Sequence, residues 1–305
     1  MGAVAVRVEP GRARRWRTLR KQAPNYLFVL PHLLFFLVFL AGPVVFGVWI
    51  SFHDWEILAP EKPFAGLANY QDLLADPLFF RTVQNTLTFT VLTVLAESVL
   101  GLALALLVNQ RFPGRLAVRV IFFAPRVLSV ATAGIILQWL MNRDWGFINY
   151  LLWLIGLPRV NWLGDPVLVL PSLAGATVWW VVGFAMIIYL AGLQNIPEEY
   201  YEAAKIDGAG RWQQFRHITL PLLRPTTLFI LVTAFIGHMQ VFGQIYLMTQ
   251  GGPYYASMSV VFYLYDNGFR YFRMGYAAAM AVVLAAIIMI VTVVQFRLLG
   301  RRVEY

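Results

Sequence analysis

Two groups of residues in this chain could do polar chemistry away from its ends. The first is scattered through otherwise apolar stretches: Glu97, Arg126, His238, Gln240 and Gln244. Ionisable side chains are costly in hydrocarbon, so at such positions they are functional suspects by default. Glu97 reads as a hydrogen-bonding acid against a neighbouring helix. Arg126, downstream of Arg119, reads as a group that snorkels to the headgroups or pairs with a neighbour. On an uninterrupted helix His238 shares a face with Val241 and Ile245, while Gln240 and Gln244 lie on the next face over. The second group is the run EEYYEAAKIDGAGRWQQFRHITLPLLRP, Glu198 to Pro225. Asn195 and Pro197 suit a helix entrance, and Glu198, Glu199 and Glu202 place negative charge at a helix N-terminus. Ala203 and Ala204 are strong helix formers with little bulk. Gly208 and Gly210 allow a left-handed cap between two short helices, and Leu220-Pro221 breaks the chain before the next apolar run. A short amphipathic helix with small residues on one face suits docking into a groove on another protein.

Other chemistries lack their residues. The lysines are Lys21, Lys62 and Lys205, and none follows the glycine-rich pattern that cradles phosphate. There is no cysteine, no H-E-x-x-H and no nucleophile elbow, so neither a catalytic nor a metal site is expected.

The elements that must position these groups are membrane helices. A 305-residue chain that is 60% hydrophobic and 13% charged, with mean hydropathy +0.66, lies outside the range of soluble domains. Tyr26–Phe52, Pro166–Pro197 and Met274–Phe296 contain no Asp, Glu, Lys or Arg, and each exceeds the roughly 20 residues a span requires. Pro225–Tyr265 is free of them too and holds one span plus a loop. Two more spans fall at about 83–109 and 119–141, giving an all-α polytopic protein with six transmembrane helices. Pro31, Gly42 and Pro43 predict a kink or break in the first. Trp55, Phe64, Tyr70, Phe79 and Phe80 suit an interfacial aromatic belt after it.

The net charge of +9 sets orientation rather than nucleic-acid affinity. Arg7, Arg12, Arg14, Arg15, Arg17, Arg20 and Lys21 precede the first span. Arg111, Arg115 and Arg119 surround the second connection, Lys205, Arg211, Arg216 and Arg224 the fourth, and Arg297, Arg301 and Arg302 close the chain. The alternate connections hold only Lys62, Arg81, Arg143, Arg159, Arg270 and Arg273. The positive-inside rule then puts both termini in the cytoplasm. Residues 1–25 read as a basic cytoplasmic tail, 26–300 as the six-span domain, and 301–305 as a second tail.

Glu202-Ala203-Ala204, Asp207-Gly208-Ala209, Phe215 and Ile218-x-Leu220-Pro221 resemble the EAA loop of permease subunits of binding-protein-dependent ABC importers. The outer segment FAGLANYQDLLADPLFFRTVQNTL and the turn Gly251-Gly252-Pro253 are similar to those of the carbohydrate-uptake type, and the resemblance covers roughly residues 26–300. It implies a bacterial-type inner-membrane permease for a sugar or sugar-like solute. The loop at about 195–225 would dock in a cleft of an ATPase through Glu202, Ala203, Ala204, Asp207 and Gly208. Implied partners are a second, related permease subunit, two ATP-binding cassette ATPases that bind the ATP and Mg, and an extracytoplasmic solute-binding protein. In that family the fifth span presents polar side chains to the sugar, which makes His238, Gln240 and Gln244 the substrate-path candidates, followed by Trp179, Trp180 and Gln138. An alternative reading is an ion-coupled secondary transporter with Glu97 and His238 as a proton relay.

Overall fold

The computed structural model describes residues 27–110 and 112–299; the expected basic tail, the C-terminal tail and Arg111 lie outside them. These residues form a helical bundle. Four continuous helices are long and apolar enough to cross a bilayer: α1 (Leu27–Ile50), α3 (Pro77–Asn109), α7 (Val169–Gln194) and α13 (Met274–Leu299). Two further candidate crossings are bent pairs, which would bring the count to six. Arg115–Val127 (α4) and Val130–Leu140 (α5) meet at 103°, while Arg211–Leu222 (α9) and Arg224–Met239 (α10) meet at 61°. The remaining pieces are α2 (Ala68–Ala75), α6 (Phe147–Leu154), α8 (Glu198–Ile206), α11 (Gly243–Met248) and α12 (Val260–Tyr265).

Several local expectations need correction. The Gly42-Pro43 pair does not break α1. It sits after a π turn at Leu37–Ala41, where the Gly42 N–H reaches back to the Leu37 carbonyl and absorbs the missing proline donor. Pro221 does not end its helix either. A π turn at Phe215–Thr219 precedes it, and the bend falls at Leu223, just before Pro225. Asn195 caps the end of α7 rather than opening the next helix. Phe79 is buried in the core rather than at an aromatic belt.

The core is organised around α7, which packs along α3. Gly101 on α3 allows this approach, because a Cβ there would lie 2.7 Å from that of Ala185. Ser98 and Tyr189 share a hydrogen bond of 2.7 Å across the same seam. By contrast, the apolar side chains of α1 are mostly exposed on the single chain, a face suited to lipid or a partner subunit.

One end of the bundle is held by a polar clamp. Asp76 caps α3 by accepting from the Leu78 N–H at 2.8 Å. It also accepts from the hydroxyls of Tyr263 at 2.6 Å and Tyr276 at 2.7 Å, which joins α3, α12 and α13. Burial works to raise the Asp76 carboxyl, but these hydroxyl and N–H donors together hold it below its ordinary value. Burial and the adjacent carboxylate push the Tyr263 phenol up to about 12.

Candidate functional site

The cavity residues are assembled by two interruptions of helix. In the third crossing, α4 tightens into a 3-10 turn at Ala124–Val127 carrying Pro125 and Arg126, and α5 restarts after the bend with Ser129 as its N-cap. In the fifth, α10 stops at Met239, Gln240 leaves helical geometry, and α11 begins at Gly243. Unwound backbone at membrane depth persists only where its polar groups find partners. A side chain from another element supplies one at each break. Trp180 Nε1 on α7 donates to the Leu128 carbonyl at 3.2 Å, and Ser259 Oγ donates to the Val241 carbonyl at 2.8 Å. Glycine lets both breaks seat closely. A Cβ on Gly183 of α7 would sit 2.0 Å from the Phe122 carbonyl oxygen, and one on Gly243 would sit 2.9 Å from Val130.

Between the breaks lies a cavity of about 380 Å³, lined among others by Glu97, Arg126, Trp180, His238, Gln240 and Gln244. That size falls in the range of about 300–1,000 Å³ common to small-molecule sites. The interruption at Met239 corrects the helical-wheel reading of the fifth crossing. His238 and the two glutamines do not lie on separate faces of one helix, and all three line one cavity.

Glu97 and His238 meet there. The imidazole Nε2 lies 2.8 Å from Glu97 Oε2, with both residues buried at 8% and 5% exposure. Phe89 stands edge-on to the imidazole at 6.1 Å. The acid therefore has the interhelical partner expected of it, and that partner is the histidine. Arg126 pairs with a neighbour, and among the described residues that neighbour is an aromatic ring rather than an acid. Its guanidinium lies over the Trp180 ring, 4.7 Å from the centroid. Trp179 and Gln138 line no part of this cavity. Trp179 faces a separate, largely apolar cleft with Leu137 and Trp162, and Gln138 donates to the Met248 carbonyl at 3.4 Å.

The polar run from Glu198 folds as two short helices. Gly208 takes φ +79°, the Ala209 N–H donates to the Ala204 carbonyl at 2.8 Å, and the Gly208 N–H donates to the Lys205 carbonyl at 3.1 Å. That pair of bonds is the Schellman cap, with glycine at its left-handed position. Gln213 then accepts from the Gly210 N–H at 2.8 Å, securing the next helix start. Glu202, Ala203, Asp207 and Gly208 are exposed and Ala204 is half-buried. Ala204, Asp207 and Gly208 border a notch of about 340 Å³ whose opposite wall is Gln213, Gln214, His217 and Ile218. Ile206 and Trp212 project beside it at 88% and 68% exposure. Inward, Tyr201 and Thr219 share a 2.9 Å hydrogen bond that ties the two helices together.

Comparison with known proteins adds four findings. Residues 97–305 match the family described as binding-protein-dependent transport system inner membrane component. The trehalose/maltose transport system permease protein of Thermococcus litoralis is 37% identical over 256 residues, covering 84% of this chain and 85% of that protein. The crystal structure of a bacterial ABC transporter that imports the acidic polysaccharide alginate contains a chain of similar fold. It gives a TM-score of 0.83 at 28% identity, covering 95% of this chain and 100% of that one. A second structure of the alginate transporter, in complex with its alginate pentasaccharide-bound periplasmic protein, gives 0.81 at 28% identity, covering 93% and 96%.

Proposed function

Because this chain belongs to the family of binding-protein-dependent transport system inner membrane components, we propose that it moves a sugar or sugar-like solute through the cavity at Glu97, Arg126 and His238. The chain is an ABC importer permease, a transport component of the inner membrane and not an enzyme. The carbohydrate class is supported by the relatives named for trehalose/maltose and alginate. It is also supported by a cavity lined by the aromatic residues Trp180 and Phe184 together with the amides of Gln240 and Gln244, since aromatic rings pack on sugar C–H groups and amides bond hydroxyls. In this reading His238, Gln240 and Gln244 line the path.

The exposed, glycine-capped loop is the observation that supports coupling. A separate pair of ATPases binds ATP and Mg and grips Glu202, Ala203, Ala204, Asp207 and Gly208. A second, related permease subunit completes the translocation pathway, and an extracytoplasmic binding protein delivers the solute. Residues 26–300 form the six-span domain, with both termini and the loop at 195–225 on the ATPase side. The stroke has a physical route. The second helix of the loop, α9, bends into α10 at Leu223, and α10 carries His238 roughly 20 Å further on at about 1.5 Å per residue. A push on the loop thus moves the fifth crossing against Glu97 on α3. The ligand biases that movement only through contacts that differ between the two states. The ion-coupled alternative draws no support from the family or its relatives.

The test is Gly208→Leu and Ala204→Trp in the complete importer. A side chain at Gly208 is forced to a left-handed backbone, at about 1–2 kcal/mol, and bulk at Ala204 fills the notch. Both variants should leave the permease inserted and paired while losing ATPase copurification or solute-stimulated hydrolysis. Stimulation equal to wild type in both would overturn the coupling role.

A further inference from the structure

The cavity contains a cation, Arg126, with no carboxylate in contact among the described residues. We propose that Arg126 is a specificity-determining residue that receives an oxyanion on the transported solute, so that the cargo is an acidic carbohydrate rather than a neutral one. This inference rests on the cavity being the solute path.

The argument begins with the cost of the residue. A guanidinium placed within a membrane crossing must be compensated, and Arg126 is exposed to the cavity rather than buried against protein. Among the described residues no carboxylate oxygen lies within 4.0 Å of it, and the ion pairs found join His238 to Glu97 and Arg270 to Asp266. Glu97 lines the same cavity, but the Oε2 of its carboxylate is engaged by His238 at 2.8 Å. Arg126 is the one lysine or arginine among the described residues that line the cavity.

The residue is also preorganised. The 3-10 turn that carries it is held at both ends: Phe122 and Phe123 just before it press onto α7 at Gly183, and the Leu128 carbonyl just after it accepts from the Trp180 indole. The guanidinium lies 4.7 Å from the centroid of that same indole. Stacking occupies the face of a guanidinium and leaves its in-plane N–H fork free, the edge that binds carboxylate or phosphate bidentately. Gln240 and Gln244 line the same cavity and supply amides for hydroxyl groups. The lining therefore offers a guanidinium for an oxyanion and amides for a polyhydroxyl body.

The experiment uses the complete importer, with its partner permease, ATPases and binding protein, in proteoliposomes. The probes are maltotriose, a uronic-acid trisaccharide and a hexose phosphate, the last two separating carboxylate from phosphate. The expected result is uptake of an acidic probe with little or none of maltotriose. Arg126→Gln should reduce acidic-probe uptake roughly tenfold to a hundredfold, the scale of a lost hydrogen bond to a charged group. Arg126→Lys should retain part of it, and subunit copurification should not change. Uptake of maltotriose alone would overturn this proposal while leaving the sugar-importer reading intact. Acidic uptake indifferent to Arg126→Gln would overturn it as well. Loss of subunit assembly in Arg126→Gln, restored by Arg126→Lys, would assign the cation to a permease–permease contact and overturn it. Uptake of no probe by an assembled, ATP-hydrolysing complex would count against both readings.

Discussion

Removing His238 and Glu97 separately and together measures the bond between the second and fifth crossings. The two side chains are nearly buried and 2.8 Å apart, the geometry of a charge-assisted hydrogen bond. Such bonds contribute about 1.5–3 kcal/mol in soluble proteins, whereas interhelical hydrogen bonds in membranes average about 0.6 and reach about 1.7 kcal/mol. This pair is buried against protein, but it also borders a cavity of about 380 Å³ where water can take up a stranded partner. The upper part of the membrane range therefore applies, about 1–2 kcal/mol of coupling, or roughly 5- to 30-fold in an equilibrium constant. His238→Ala alone should be the more costly single change, because it leaves a buried carboxyl without its partner and removes the edge-on contact to Phe89. Adding Glu97→Ala should recover part of that loss. The assay is reversible unfolding of the four proteins in mixed micelles, followed by circular dichroism, with solute uptake measured in parallel. Additivity of the two single changes within about 0.5 kcal/mol would refute the reasoning and return both residues to independent roles.

The clamp and the close helix contact each give a sharp test. Gly183→Ala should destabilise by about 1–3 kcal/mol, the usual penalty of overpacking, since its Cβ meets the Phe122 carbonyl at 2.0 Å. Gly175→Ala on the same helix meets open space and should be neutral or slightly stabilising. Equal unfolding midpoints for the two would discard the close approach. Asp76 is held below its ordinary 3.8, so its stabilisation is present above that value and is lost as pH falls through the lower folded value. Stability of the wild type should thus decline on acidification in a pH titration of thermal unfolding, and Asp76→Asn should flatten that decline; identical profiles would remove the clamp from the account. For topology, labelling of residues substituted at Gly210 and Tyr255 in intact cells should report opposite sides, with Gly210 protected. External labelling at Gly210 would invert the assembly.

Some of this was settled by the chain read linearly. Long runs without charged residues specify membrane helices because the hydrocarbon accepts only backbone that satisfies itself. The cap at Gly208 was equally legible, since its two hydrogen bonds close within five residues and need nothing distant. The absence of any phosphate-cradling loop followed from residue types alone. The cavity was a different matter. Glu97 and His238 stand out singly as costly residues, but their contact joins positions 141 apart in sequence, and no local periodicity encodes it. The stop at Met239 defeats a helical wheel because no proline marks it, and the flanking Gly237 and Gly243 do not by themselves end a helix. It depends on Ser259 taking the Val241 carbonyl and on Gly243 meeting Val130. Arg126 faces the cavity only because the third crossing turns through 103° and Trp180 waits on another helix. Sequence sets which groups must be compensated in a membrane. Only the packing of helices against one another decides what compensates them, because each partner belongs to a different segment of the chain.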